Sequence, residues 1–240
     1  VATTINSKPV GNGSLDTLKA LSKVTITGEV RDAQNQRLNS FNGRVYPTIF
    51  DKRVNVPTLA NDSKSPVTTF SYFRNIIFRG NVSVTNGEFA FSFYVPKDIA
   101  YQIGNGRLSL YAENGQTDAA GQTNKFFIGA IDNNAANDLT PPEVAVFIND
   151  ESFIAGGTTN EDPVLIVKIT DEFGINTVGN GIGHDITGVL NNDEKNVLVL
   201  NNFYKSSLDK YNEGSIAYPL YNLSPGLHQI SVKCWDINNN

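Results

Sequence analysis

The sequence has very little cysteine and tryptophan and lacks methionine altogether. It has 240 residues with one cysteine, one tryptophan and no methionine. A single cysteine excludes an intrachain disulfide framework and a metal site built from several thiolates. No apolar run approaches the roughly 20 residues of a membrane-spanning helix, and no signal peptide opens the sequence. We expect a fragment of a longer protein, because the chain starts at Val1 and stops just beyond a strand-like run.

Charge is also scarce, since only 18% of the residues are charged and the formal net charge is −5. Nucleic acids and anionic membranes bind clustered Lys and Arg, and the chain has no basic run, so we expect neither as a partner. Hydrophobic residues make up 40% of the chain and include 14 Phe. This content excludes disorder for most of the chain, and the length is enough for one large or two ordinary β domains.

Alternating apolar and polar residues indicate β-strands along most of the chain. Val24, Ile26 and Val30 would share one face of a strand over 24–31. Asn86-Gly87 is the strongest hairpin signal, because both central residues of a type I′ turn need a positive φ. The alternating Phe residues that follow this pair predict a strand with a Phe-rich inner face.

Three further segments of the first half carry other local signals. Ser14 is predicted to cap a short helical turn with leucines at 15, 18 and 21 on one side. Pro47, within a strand over 41–50, predicts an edge or a bulge. Residues 51–69 contain two prolines and many polar groups, which indicates a long loop.

The polar, proline-ended segment Asp132–Pro142 is the best candidate for a domain boundary. Six or seven short strands in about 100 residues after it match an immunoglobulin-like sandwich. The sequence therefore predicts an all-β fold with two consecutive β-sandwich domains, residues 1–135 and 141–240, the second immunoglobulin-like.

The densest glycine spacing lies in residues 171–190, DEFGINTVGNGIGHDITGVL. Its candidate functional residues are Gly179, Gly181, Gly183, His184 and Asp185. The spacing is not the dinucleotide-binding pattern, and no predicted helix follows it. The favoured interpretation is a tight structural turn in which glycine takes a positive φ and His184 bonds a backbone carbonyl or Asp185. The other is a docking surface that fixes the second domain against a domain upstream of Val1 or against a partner.

No residue is predicted to be catalytic. Cys234 would share a strand face with two apolar residues, and His228 lies six positions earlier, too far along the strand to activate it. Cys234 is therefore interpreted as a small buried hydrophobe. Nothing in the sequence selects a pair of carboxylates for glycosidase chemistry.

We expect no cofactor and no metal, with a structural calcium ion as the alternative. The acids in or beside the glycine-rich stretch and near the predicted domain ends are Asp171, Glu172, Asp185, Asp132, Asp138, Asp150, Glu151 and Asp236. Calcium needs six to eight oxygen ligands, and the sequence has no D-x-D-x-D-G loop. Most of these acids are expected to be turn residues.

Several runs, in order along nearly the whole chain, carry a family resemblance: VTITGEVRD, FNGRVYPTIFDK, FRGNVSVTNGEFAFSFYVPKDIAYQIGNGRLSLYA, DEFGINTVGNGIGHDITGVL and YPLYNLSPGLHQISVKCWD. Together they resemble the post-catalytic region of PorU-like type IX secretion system sortases, which are gingipain-type cysteine peptidases of Bacteroidetes. The family's catalytic histidine and cysteine belong to an upstream α/β domain that no segment here matches. His184, His228 and Cys234 therefore inherit no catalytic role.

The resemblance implies a noncatalytic β-sandwich region on the extracellular face of the outer membrane. Its parent enzyme would remove C-terminal sorting signals from exported cargo and help attach the cargo to surface lipopolysaccharide. The implied partners are the upstream peptidase domain, exported cargo proteins and other proteins of the secretion machinery.

Two other functional classes stay open from the residues alone. One is a stand-alone adhesion or carbohydrate-binding module, whose platform would need exposed aromatics on one face. The candidates for it are Tyr72, Phe73, Tyr94, Tyr101, Tyr111 and Tyr204. The other is a hydrolase with an unrecognised carboxylate or Cys-His site.

Overall fold

The computed structural model describes residues 1–11, 15–178 and 183–240. Strands form nearly all of its regular structure, which confirms the all-β prediction; the helical content of the described residues is one 3-10 turn, Asn201–Phe203. None of the described residues forms a helix long and apolar enough to cross a membrane.

In the described part of the chain, fourteen strands precede the connection Asp132–Pro142. They are β1 Ala2–Ile5, β2 Lys8–Pro9, β3 Thr17–Ala20, β4 Lys23–Glu29, β5 Gly43–Phe50, β6 Arg53–Pro57, β7 Thr69–Phe73, β8 Ile76–Arg79, β9 Val82–Val84, β10 Glu88–Tyr94, β11 Gly104–Asn105, β12 Arg107–Glu113, β13 Asp118–Thr123 and β14 Phe127–Ile131. Seven follow it: β15 Glu143–Ile148, β16 Val164–Thr170, β17 Thr187–Leu190, β18 Leu198–Val199, β19 Tyr204–Ser206, β20 Glu213–Pro219 and β21 Ile230–Lys233.

The first group of strands builds a sandwich from two main sheets. One has the order β10-β4-β1-β2, and the other has the order β13-β12-β5-β8 with β9 also paired to β5. The Asn86-Gly87 turn that leads into β10 has φ values of 52° and 74°, as the type I′ prediction requires. The Phe-rich face of β10 is buried, and the ring of Phe93 stacks on Phe78 of the opposite sheet with 4.5 Å between centroids.

Three expectations about the first half were wrong. The segment around Leu18 is strand β3, not a helical turn, because Thr17–Ala20 pairs in parallel with β14 and buries alternate side chains. Ser14, the predicted cap, lies outside the described residues. Residues 51–69 are not all loop, since β6 pairs with β7 in a hairpin ribbon. Strand β5 lies inside its sheet, so Pro47 is not on an edge strand, although the pairing of β5 with β8 does have a register shift between Ile49 and Phe50. Pro47, which lacks an N–H, occurs where β8 gives way to β9, and its carbonyl accepts from Gly80 N at 2.9 Å.

The second group forms a four-stranded sheet, β15-β16-β20-β19, and a three-stranded sheet, β18-β17-β21. All their pairings are antiparallel. The first of these orders is the A-B-E-D order of a constant-type immunoglobulin sheet. It agrees with the immunoglobulin-like sandwich predicted from the number of strands. Leu165, Val167 and Ile169 of β16 are fully buried between the two sheets. Among the residues that the structure describes, strand β15 pairs only with β16, and it is largely exposed.

The two groups share no sheet within the described residues, because every sheet draws its strands from one side of the connection. Their cores are less separate. Val178 follows β16 in the sequence, yet its side chain is fully buried in the cluster that contains Ile26 and Phe93 of the first sandwich. A loop of the second sandwich therefore completes the core of the first. The boundaries at 135 and 141 stay a prediction.

Truncation of Val178 should destabilise the first sandwich although the residue lies in the second half of the sequence. We expect Val178→Ala to lower the free energy of unfolding by about 2 kcal/mol, from the lost burial and the cavity left behind. Amide hydrogen exchange should quicken more in β4 and β10 than in β16. The control is Val144→Ala on the exposed face of β15, which should stay within about 0.5 kcal/mol of the parent. Faster exchange confined to β16 and β20 would contradict this packing.

Candidate functional site

The best-defined polar site lies between the two sandwiches and centres on the carboxylate of Asp98. This residue follows β10 in the turn that ends the Phe-rich strand. His184 Nδ1 lies 2.7 Å from Asp98 Oδ2, and the Asn176 amide donates to the same oxygen at 2.9 Å. The Asn239 amide donates to Oδ1 at 2.8 Å. Three side chains from the second sandwich therefore converge on one carboxylate of the first.

The backbone of the second sandwich fixes these donors in place. Asn176 is fully buried, its N–H donates to the carbonyl of Trp235 at 2.9 Å, and its side-chain oxygen accepts from Val178 N at 3.0 Å. Its amide nitrogen is then left to face Asp98. The ring of His184 packs edge-on against Trp235 with 4.7 Å between centroids. Both donors are thus held by contacts other than their bond to Asp98.

The environment of Asp98 favours its charged form. Burial alone would raise the pKa of this carboxyl, but the hydrogen bonds from Asn239, Asn176 and His184, together with the charge of His184, outweigh burial and hold the pKa below its usual range. A carboxylate that accepts several hydrogen bonds is stabilised as the anion. The site is therefore an anionic acceptor already satisfied by protein donors.

Two further groups of polar bonds cross the same interface away from Asp98. The hydroxyl of Ser206 donates to the carbonyl of Arg79 at 2.6 Å. Ser83 donates both its N–H and its hydroxyl to the carboxylate of Asp209, at 2.7 Å each. Tyr94 packs edge-on against Phe173 with 5.3 Å between centroids. The interface combines aromatic packing with bonds that fix its register.

The glycine-rich stretch is only partly described. Gly179 and Gly181 lie outside the described residues. Gly183 has a φ of +87°, which fits the predicted turn. His184 does bond a protein group, but its partner is Asp98 of the other sandwich and not a backbone carbonyl or Asp185, because the turn faces the interface. Asp185 has a buried Oδ1 without a hydrogen-bond partner among the described residues.

Cys234 and the two histidines form no catalytic pair within the described residues. Cys234 packs beside the second core but is only partly buried and lies just after β21, whereas the sequence predicted a buried strand residue. Burial raises the pKa of its thiol to about 11. A thiol with a raised pKa is a poor nucleophile near neutral pH. His228 instead lies 2.9 Å from the Asn191 amide and 2.7 Å from the carbonyl of Ser224.

Three acids that are far apart in the sequence meet beside this interface. Asp138, Asp171 and Asp236 each bring one carboxylate oxygen within 4.8 Å of the others. Burial raises the pKa of Asp171, and the nearby carboxylates of Asp236 and Asp138 act in the same direction. Hydrogen bonds from the backbone N–H groups of Gly174 and Phe173 oppose the shift. Burial and a bond with Asp138 raise the pKa of Asp236 in the same direction. These are the residues most suited to hold a cation.

The six candidate aromatics do not form one exposed platform. Tyr204 is buried, and Tyr94 packs into the interface between the sandwiches. Tyr72 is exposed on the β6–β7 ribbon, where it stacks on Phe70 with 5.7 Å between centroids. A separate cleft of about 870 Å³ at the far end of the second sandwich is lined mainly by apolar residues and includes His228.

No protein-family model matches the chain, and no curated protein matches it. Among solved structures, the chain is similar to dimeric latent PorU from Porphyromonas gingivalis, with 30% sequence identity and a TM-score of 0.58. The match covers 99% of this chain and 23% of the PorU chain. The chain therefore resembles one region of PorU and spans less than a quarter of its length.

Of the residues at the Asp98 site, local sequence patterns indicated only His184, and not the residues that it meets there. Asp98 follows Pro96-Lys97 and has the appearance of an ordinary turn residue. Asn176 and Asn239 lie in asparagine-rich segments that resemble linkers. Nothing in local spacing relates position 98 to position 239, because only the packing of the two sandwiches brings them together.

Removal of the charge at position 98 should weaken the interface in a pH-dependent way. We expect Asp98→Asn to lose about 1–3 kcal/mol of stability at pH 7, because an amide oxygen cannot accept all three bonds. Since the folded-state pKa of Asp98 lies below the unfolded value, its contribution is present above about pH 4 and is lost as the pH falls further. Urea unfolding at pH 7 and pH 3 should show the gap between variant and parent narrowing at pH 3. A gap that widens at pH 3 would contradict this assignment.

The turn before His184 should need glycine for its backbone conformation alone. A Cβ added at Gly183 would meet no atom of the described residues within 4 Å, so we attribute the cost of Gly183→Ala to its positive φ. We expect a loss of about 1 kcal/mol in unfolding free energy. Gly121 in β13 also has open space around it but no positive φ, so Gly121→Ala is the matched control and should be close to neutral. Equal effects of the two changes would refute the role of φ.

Proposed function

We propose that this chain is the noncatalytic β-sandwich region of a type IX secretion sortase. Its parent would be a gingipain-type cysteine endopeptidase that removes C-terminal sorting signals from cargo and helps attach the cargo to surface lipopolysaccharide. The chain would support or dock the upstream peptidase domain on the extracellular face of the outer membrane. Exported cargo and other secretion proteins would be further partners.

The similarity to PorU carries this proposal. It extends over 99% of the chain, with an identity of 30% and a TM-score of 0.58, so both sandwiches contribute to the match. The sequence runs that resemble the sortase family come from both sandwiches as well. A resemblance limited to one sandwich would support only a common fold, since such folds serve many functions.

The chemistry of the described residues supports a noncatalytic role. The histidine with a carboxylate partner, His184, also faces Trp235, and its bond to Asp98 joins two sandwiches. A nucleophile needs a base within hydrogen-bond reach, and no hydrogen bond links Cys234 to either histidine among the residues that the structure describes. Asp98 and His184 are better suited to fix two domains than to transfer protons.

The interface supports the idea of a rigid platform. Polar bonds at Asp98, at Ser206 and at Asp209 set the register of one sandwich on the other. Insertion of Val178 into the first core adds an apolar contact that a loosely tethered domain would lack. A support for a peptidase domain would need such a fixed relation between its parts.

The proposal predicts that cysteine chemistry in this chain is dispensable. The isolated chain should not cleave a peptide that carries a C-terminal sorting signal. In the full-length parent, Cys234→Ser should leave processing of exported cargo unchanged, measured as the ratio of mature to unprocessed cargo in cells. Deletion of the whole region from the parent should abolish processing, because the region is proposed to support the peptidase domain.

Two results would overturn the proposal. One is hydrolysis by the isolated chain that Cys234→Ser removes. The other is normal cargo processing and surface attachment by a parent that lacks the region. Phe70→Ala on the exposed ribbon is a useful companion variant, since loss of polysaccharide binding with intact processing would favour the adhesion alternative.

A further inference from the structure

We infer that a positively charged cleft at one end of the first sandwich binds an extended acidic segment of another protein. The cleft has a volume of about 660 Å³ and lies where the base of the β6–β7 ribbon meets strand β11. Arg53 and Phe73 line it from the ribbon, Gly104 and Asn105 from β11, and Lys125 from the segment before β14. A cleft of this size can hold a ligand of a few residues.

The cleft concentrates positive charge in a chain whose net charge is −5. Its lining includes Lys52, Arg53 and Lys125, and none of the described residues that line it is acidic. Lys52 is already occupied, since its ammonium lies 2.6 Å from Asp51 Oδ1 and donates to the carbonyl of Ala100 at 2.7 Å. Arg53 and Lys125 belong to none of the ion pairs formed by the described residues. Their charge is therefore uncompensated and favours an anionic ligand.

Two guanidinium groups lie against one aromatic ring of the cleft. The guanidinium carbon of Arg53 is 5.0 Å from the ring centroid of Phe73, and that of Arg107 is 5.7 Å from it. Arg107 is also 5.9 Å from the ring centroid of Phe50, and its Nε is a buried atom with no hydrogen-bond partner in the described part of the chain. A buried donor normally has an acceptor. Contact with aromatic rings positions a guanidinium while its N–H groups stay available to an oxyanion.

The wall of the cleft is fixed before any ligand binds. A Cβ added at Gly104 would lie 2.8 Å from Lys52 Cδ, so the lysine stem can cross β11 closely because position 104 is glycine. Lys52 Nζ then reaches the carbonyl of Ile128 at 3.3 Å, beside the buried Asp51 carboxylate. A site that is already formed loses less conformational entropy on binding.

The surroundings of these cations favour an extended peptide over a small anion or a saccharide. Guanidinium groups match carboxylates in shape, and cations on separate segments suit several carboxylates spaced along a chain. Among the described residues β11 pairs only with β14, so its outer edge has free backbone N–H and C=O groups. An extended peptide pairs with such an edge through its own backbone, which a saccharide cannot do. Ile103, which is 58% exposed, adds apolar surface to the same cleft.

Calorimetric titration of the 240-residue chain with a peptide tests the inference. The probe is an acetylated, amidated pentapeptide in which three glutamates alternate with two valines. We expect saturable binding that weakens about tenfold or more when glutamine replaces each glutamate, because the charge-assisted bonds are lost. Binding should also weaken as the NaCl concentration is raised from about 20 mM to about 500 mM, since salt screens partly exposed charges.

Charge variants make the test specific. Arg53→Gln combined with Lys125→Gln should raise the Kd about tenfold. Arg107→Lys keeps the charge but lacks the planar fork, so it should also weaken binding. The matched control is Arg44→Gln, because Arg44 is exposed, forms no ion pair with a described residue and lies at the other end of β5 from Phe50. The control should bind the peptide as the parent chain does. Circular dichroism of each variant checks its fold.

Three outcomes would overturn the site: no saturable binding of the glutamate peptide, equal binding of the glutamine peptide, or equal losses in the double variant and in Arg44→Gln. Tighter binding of a galacturonate trimer, which also carries three carboxylates, would overturn the assignment to a peptide in favour of an anionic saccharide. If Arg107→Lys is unfolded, the double variant decides, since Arg53 and Lys125 are both exposed. The test does not depend on the proposed secretion role, because it measures binding by the chain alone.

Discussion

The arrangement of the two sandwiches depends on one partly buried carboxylate. Asp98 accepts from three side chains of the other sandwich, and its charge is stabilised only while those donors are in place. The hydrogen bonds to Asp98 outweigh the cost of burying its charge, as its lowered pKa indicates. The main effect of this site is directional, since a displaced sandwich would leave the Asp98 carboxylate without its three donors.

The cluster of Asp138, Asp171 and Asp236 and the Asp98 site are connected through a few residues of the chain. Asp236 anchors the turn that carries Asn239, and the backbone amide of Asn176 bonds the carbonyl of Trp235 next to Asp236. Order in one site therefore favours order in the other. The segment that follows β21 therefore lies at the centre of the junction, although it is short, polar and rich in asparagine.

The sequence predicted well those features that depend on local pattern. The face of β4, the Asn86-Gly87 turn and the Phe-rich face of β10 all follow from alternation and turn chemistry. Local pattern gave a wrong prediction at Leu18. Leucines spaced three residues apart suit a helix, but this segment is strand β3 because it pairs in parallel with β14. Local pattern also could not find the partner of His184 or the meeting of three distant acids. Those arise from the packing of separate segments, which a single sequence does not reveal.

The three-stranded sheet has a further consequence for the chain in solution. In the described residues β21 pairs only with β17, so one side of its backbone has free N–H and C=O groups, and Ile230 and Val232 beside it are only half-buried. A constant-type sandwich has another strand at this position. An open edge with apolar neighbours is a template for strand addition. The 240-residue chain should therefore self-associate as its concentration rises, and a strand supplied from elsewhere should make it more soluble.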